Sequence, residues 1–280
     1  MNENPQISEA AQLVRRLVRD SVGAFFRNTY APGTLDICSV CRAPANGNLC
    51  DDCRSHRADY GNQLADRTIL LTYAQGKHPG GPHQSAHVVR AYKGYFGTPA
   101  SPECQEYMKL MVRVAAEIHR PCFEGWLGIS WDSLTFIPSR ERPDASHPVA
   151  ALARAVESPD GPTSPLDRFL LETGPGAVIS AKHQLVEDRF LVPEKWRSAV
   201  DGKNVLIVDD TWTRGASAQG AAIAAKQAGA ATVTVLCVSR WLNWNWAPNE
   251  RLLSSLAEDY NALLCPVTGQ VCQSAINYRA

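Results

Sequence analysis

The chain has 280 residues, 45% apolar and 20% charged, a balance that suits a folded protein with one large core and a small additional module. Lysine plus arginine and aspartate plus glutamate each number 28, so no overall field draws the protein to nucleic acid or a lipid surface, and any anion site has to be local. No apolar run approaches the ~20 residues needed to span a bilayer, and the opening MNENPQISEAAQ lacks the basic-then-apolar order of a signal peptide; together these point to a cytoplasmic protein without a membrane partner.

Residues 7 to 27, ISEAAQLVRRLVRDSVGAFFR, place Leu13, Val14, Leu17, Val18 and Val22 at helical spacing, with Arg15, Arg16 and Arg19 on other faces. An amphipathic helix packed on the core is expected there. NTYAPGT breaks the pattern, and CSVCRAPANGNLCDDC follows, with Cys38, Cys41, Cys50 and Cys53 as two Cys-x-x-Cys knuckles eight residues apart. Each two-residue spacer lets both thiolates of a knuckle face one ion, and the turn at Asn46-Gly47-Asn48 brings the second knuckle back to complete a tetrahedron. Zinc is the expected metal. Four thiolates leave no open position for water, so the site reads as structural; Asp51 and Asp52 against Arg42, Arg54 and Arg57 make no basic stripe. The other five cysteines read as core or incidental residues.

From Thr68 onward the pattern alternates. TILLTYA reads as a strand, SPECQEYMKLMVRVAAEIHR as a helix with a serine cap, DSLTFIP as a strand and SHPVAALARAV as a helix. ESPDGPTSP is a connection and GAVIS a short apolar strand. NVLIV, a helix from about Ala216 to Ala228 stopped by Gly229, and ATVTVLCVS form a βαβ unit. Strands alternating with helices imply an α/β fold with a mostly parallel, doubly wound sheet. His78, His83 and His87 lie in a glycine-rich stretch that reads as a loop leading into a helix, not as a metal site. Trp241, Trp244 and Trp246 fit a packed cap or a partner surface, and the tail holding Cys265 and Cys272 shows no clear period.

The informative stretch is NVLIVDDTWTRGASAQG, Asn204 to Gly220. VLIV is a continuous apolar run, as in a central parallel strand covered on both faces, and it leads into Asp209 and Asp210. In open α/β sheets ligands bind beyond the carboxyl ends of such strands. Adjacent carboxylates there can accept hydrogen bonds from the vicinal hydroxyls of a ribose, and can hold Mg²⁺ through water. Thr211, Thr213 and Ser217, the turn at Gly215 and the free N–H groups of a helix start then offer a cradle for phosphate. Carboxylates for a ribose beside a cradle for a phosphate specify ribose 5-phosphate.

VLIVDDTWTRGAS resembles the phosphoribosyl pyrophosphate (PRPP) motif of type I phosphoribosyltransferases, and the cysteine block before that domain makes the chain similar to the ComF group, with its N-terminal zinc ribbon. The resemblance covers roughly residues 38 to 240. It implies a type I phosphoribosyltransferase-like sheet preceded by the N-terminal helix (1–32) and the four-cysteine zinc ribbon (33–60), with the transferase-like domain over 61–280. It further implies that Asp209 and Asp210 bind the ribose hydroxyls as the catalytic pair, and that the loop of Thr211, Thr213, Arg214, Gly215, Ala216 and Ser217 takes the 5-phosphate. FIPSRERP resembles the pyrophosphate loop, with Ser139, Arg140 and Arg142; paired arginines suit a diphosphate. SAKHQLVEDRF stands where the family has a mobile hood, with Lys182 and His183 as closing contacts, and Lys93 stands where ComF-like members often have a lysine.

Two departures from the family matter. Thr211 and Trp212 replace aliphatics, which alters the wall beside the acceptor, and Thr213 replaces the Asp that takes a proton from the base in purine salvage enzymes. A hydroxyl does not do that at neutral pH, which argues against a hypoxanthine- or guanine-type acceptor. The implied reaction transfers ribose 5-phosphate from PRPP, with Mg²⁺, to a nitrogen acceptor and releases pyrophosphate. The other reading is an inactive PRPP- or nucleotide-binding module acting in DNA uptake or regulation. A protein or single-stranded DNA partner at the ribbon, and a homodimer, are further expectations from the family likeness.

Overall fold

In the computed structural model, residues 7–95, 97–139, 142–157, 165–179 and 184–278 are described. Arg140, Lys182 and His183 lie outside them. The chain forms a mixed α/β structure around a six-stranded sheet. Its strands are β1 (Arg27–Asn28), β2 (Arg67–Gly76), β3 (Ser133–Phe136), β4 (Asp167–Arg168), β7 (Asn204–Trp212) and β8 (Thr232–Asn243), in the order β1-β2-β8-β7-β3-β4. A separate antiparallel pair joins β5 (Glu172–Thr173) to β6 (Phe190–Leu191). Within the large sheet only β1 runs antiparallel to its neighbour.

The central strands read as apolar runs because both faces are covered. Leu206, Val208, Leu236 and Val238 point to one side, against α1 (Glu9–Val18), α3 (Gln84–Ala91), α4 (Pro102–Leu127) and α5 (Pro148–Arg154). Val205, Ile207, Val233, Val235 and Cys237 point to the other, against α7 (Ala216–Gln227), α8 (Ala247–Ser255) and the cysteine block. The alternation along each strand places one residue in each core by turns. Helix α4 starts where the serine cap predicts, with Ser101 Oγ accepting from Cys104 N at 3.3 Å, and it runs on to a stop at Gly128, where φ is 71°.

Three expectations need correction. GAVIS is not a strand: Gly176–Ile179 forms a short helix, α6. Its four apolar residues do not specify a strand over a helical turn, because a run this short has no readable period. The predicted apolar face of residues 7–27 is only partly buried. Ala11, Val18 and Val22 are covered, whereas Leu13 and Leu17 are 60% and 53% exposed, and after Val18 the chain takes a π-helical turn over Arg19–Gly23. Val18 and Val22, four residues apart, stay on the buried face through that turn. Third, Cys122, Cys265 and Cys272 are not scattered; they gather beside His119. Among the described residues no helix is long and apolar enough to cross a membrane.

Candidate functional site

Strand β3 leads through α5 outward to β4, whereas its neighbour β7 leads through α7 the other way to β8. Their junction is the sheet's switch point, where loops leave in opposite directions and a crevice opens at the carboxyl ends. Pairing of β3 with β7 ends at Phe136↔Val208, while β7 stays paired with β8 as far as Trp212↔Arg240. Asp209 and Asp210 therefore sit on a strand held on one edge and open on the other. Both are nearly inaccessible, at 9% and 2% exposure.

A cleft of about 540 Å³ collects the side chains that the sequence singled out. Asp209, Asp210, Thr211, Thr213, Gly215, Ala216 and Ser217 line it, and Ser139 faces them from the end of β3. Arg142 N donates to Ser139 O at 3.2 Å, and the Arg142 guanidinium reaches the Lys93 carbonyl at 3.4 Å. Arg214 is exposed and is not among the lining residues.

The loop between β7 and α7 is shaped for close approach. Gly215 has φ 86°, and a Cβ there would lie 2.4 Å from the Trp212 ring. Only glycine fits both demands. The helix that follows is twelve residues long and begins at Ala216, so its first N–H groups face the cleft. Behind the loop Arg240, 7% exposed, donates to the carbonyls of Trp212 at 3.0 Å and Trp241 at 2.8 Å and to that of Thr213. Nothing in the strand pattern ATVTVLCVS marks Arg240, which follows directly after it.

Asp210 pairs with the Lys93 ammonium and accepts from the Tyr92 hydroxyl. Helix α3 delivers both residues at its carboxyl end, together with Arg90, whose guanidinium lies 4.8 Å from the Trp241 ring centroid. His147 caps α5, stacks on Phe136 at 6.1 Å and lines the same cleft. Tyr92, Arg90, His147 and Arg240 escaped the sequence reading; only the ring-and-lysine pair in AYKGY carried a signal. Of the three tryptophans, Trp241 lines the cleft, Trp244 donates to Gln75 at 3.0 Å, and Trp246 is half exposed beside the cysteine block.

Burial pushes the Asp209 carboxyl up to about 6 and Asp210 up to about 7, with Lys93 opposing the rise at Asp209. Burial, with Lys93 and Arg142 adding to it, holds His147 down at about 4. Raised carboxyl values mean that the folded chain keeps protons the unfolded chain would release. Their contribution to stability is full below about pH 4 and is lost as pH rises through 6 to 7. The depressed histidine acts with the opposite sign at lower pH, so the two are separated by difference. Thermal unfolding of wild type and Asp210→Asn between pH 5 and pH 8 is expected to show the variant gaining relative stability as pH rises; a pH-independent difference would contradict this placement.

The cysteine block forms the second site. The sulfurs of Cys38, Cys41, Cys50 and Cys53 all lie within 4.8 Å of one another, with Cys41 and Cys50 at 3.5 Å. A tetrahedron of Zn–S bonds has edges of roughly 3.8 Å, so the set fits zinc. Hydrogen bonds among the four thiols favour the thiolate at Cys38 and the protonated form at Cys50 and Cys53. The second knuckle is not a ribbon strand: Cys50 caps α2 (Asp51–Tyr60) and Cys53 lies in its first turn. The block packs on the sheet through Arg42, fully buried, which donates to Thr68 O at 2.9 Å, and through Tyr73, which donates to Arg42 O at 2.7 Å.

No protein-family model and no curated protein matches the chain. Among solved structures it is similar to a phosphoribosyltransferase from Corynebacterium diphtheriae, at 19% identity and a TM-score of 0.27, over 49% of this chain and 78% of that one. It is also similar to orotate phosphoribosyltransferase of Mycobacterium tuberculosis H37Rv in complex with Fe(III) dicitrate, at 18% identity and a TM-score of 0.28, over 68% of this chain and 95% of that one.

Proposed function

We propose that the protein is a phosphoribosyltransferase that binds PRPP at the β3/β7 crevice and transfers ribose 5-phosphate to a nitrogen acceptor. The observation that carries this reading is the juxtaposition, in one cleft, of two buried carboxylates and a glycine turn opening a helix. Asp209 and Asp210 accept from the ribose hydroxyls. The N–H groups from Ala216 onward, with the hydroxyls of Thr213 and Ser217, hold the 5-phosphate. Ser139 faces the pyrophosphate, and the positive charge of Lys93, Arg90 and Arg142 suits that anion.

The carboxylate pair and the open crevice also fit a hard divalent cation, whose chemistry would be to offset charge on the departing pyrophosphate. In the transfer the ribose C1–O bond to pyrophosphate breaks and a C1–N bond to the acceptor forms. The acceptor's proton passes to solvent. The chain's own part is to orient the reactants, to stabilise positive charge on the ribose with the acids and to keep water out; no covalent nucleophile is needed.

Calorimetric titration with PRPP tests this. Binding is expected, tighter with Mg²⁺ than without, followed by pyrophosphate release when the right nitrogen base is added. Absence of binding under both conditions would remove the ribose-phosphate assignment, whereas binding without release from any base would leave a sensing module.

A further inference from the structure

We infer that the chain holds a second metal site, built from His119, Cys122, Cys265 and Cys272, which fastens the carboxyl-terminal tail to α4 with a zinc-class cation. His119 and Cys122 stand three apart near the end of α4 and so share a face. Cys265 and Cys272 come from the tail. The His119 Nδ1 lies 3.1 Å from the Cys272 sulfur, and the Cys122 sulfur lies 3.2 Å from that of Cys265. Ligand atoms of His119, Cys265 and Cys272 all lie within 4.8 Å of one another, and Cys122 joins this group of three through its contact with the Cys265 sulfur.

The surroundings prepare these groups for a metal. The other ring nitrogen of His119, Nε2, lies 2.8 Å from the Ala262 carbonyl, the contact that fixes a ligating histidine's tautomer and leaves the Nδ1 lone pair toward the thiols. Between the tail cysteines the chain makes a compact knuckle. Cys265 N donates to Gln270 O at 2.9 Å, Gly269 N to Cys265 O at 2.8 Å, and Leu264 bridges Val271. His119 and Cys265 are each 1% exposed, so the cluster is largely shielded from water.

A disulfide between Cys122 and Cys265 is the competing arrangement, but it would use two of the four groups and leave His119 and Cys272 as a separate hydrogen-bonded pair, with the Ser274 hydroxyl 2.9 Å from the Cys272 sulfur. One dication with three thiolates and an imidazole accounts for all four and closes the coordination sphere, so the site is structural. Its consequence is mechanical. The tail also accepts Ser8 N at Ile276 O, 3.1 Å, and Tyr278 donates to Glu117 at 3.0 Å, so the metal would lock both ends of the described chain onto one helix.

The site is tested by metal content per chain, measured by mass spectrometry on the full-length protein purified without chelators and under reducing conditions. Two zinc ions are expected in the wild type, one in Cys41→Ser, and one in Cys272→Ser. A wild-type content of one or none, or two that Cys272→Ser leaves unchanged, would overturn the assignment, as would a Cys122–Cys265 disulfide in wild-type protein alkylated under denaturing conditions. If Cys272→Ser does not fold, the wild-type count and Cys41→Ser decide, since a single ion abolished by Cys41→Ser leaves none for the tail.

Discussion

Asp210→Asn is expected to weaken PRPP binding by at least about 30-fold while leaving the fold intact and making it more stable above pH 7. The lost affinity corresponds to the ~2 kcal/mol typical of a hydrogen bond to a charged group. The gain in stability follows from the direction of the titration. Asp210 is 2% exposed, and its raised pKa records the cost of keeping its charge out of water. The amide keeps the shape and drops that cost. Lys93 loses this partner, but its side chain is 39% exposed and can turn to solvent. An ionised acid that weakens the fold is what a binding site requires and a purely structural residue does not. Calorimetry and thermal melts on one preparation check both halves. Wild-type affinity in the variant would remove Asp210 from the ribose site, and a lower melting temperature at pH 8 would show that the pair with Lys93 outweighs burial.

The acid pair at the strand end and the glycine turn into α7 were legible because both are local in sequence: an apolar run, two acids, and a glycine before an alanine-rich helix. The four-cysteine block was legible for the same reason, its spacing being the signal. What could not be read comes from far apart along the chain. Tyr92 and Lys93 meet Asp210 across the sheet, and His119 meets Cys272 across 153 positions. An isolated HRPC in a helix and two cysteines in an aperiodic tail do not announce a shared ligand. The exposed Leu13 and Leu17 mark a different limit, since periodicity identifies a helix face but not how much of that face the rest of the chain will cover.

Arg240 joins the two local motifs and yields the other large expected effect. It stands on β8 opposite Trp212, and its guanidinium fills the space behind the phosphate loop, bonded to the carbonyls of Trp212, Thr213 and Trp241. Its charge also acts on Cys41, favouring the thiolate there, and on Tyr73, which donates to the Arg42 carbonyl. One buried cation therefore braces the loop proposed to hold the phosphate and also favours the thiolate at Cys41. Arg240→Met leaves buried carbonyls without donors, each costing about 1–3 kcal/mol, so the melting temperature should fall by several degrees or more. PRPP affinity should fall with it, because the Thr213–Gly215 backbone loses its brace. Zinc content should stay at the wild-type value, since the cysteine ligands remain. Arg240→Lys separates the two roles: it keeps the charge near Cys41 but lacks the fork, so stability should recover in part while phosphate affinity stays low. If Arg240→Met bound PRPP as tightly as wild type, the loop would be held by Gly215 and α7 alone, and the arginine would belong to the metal site only.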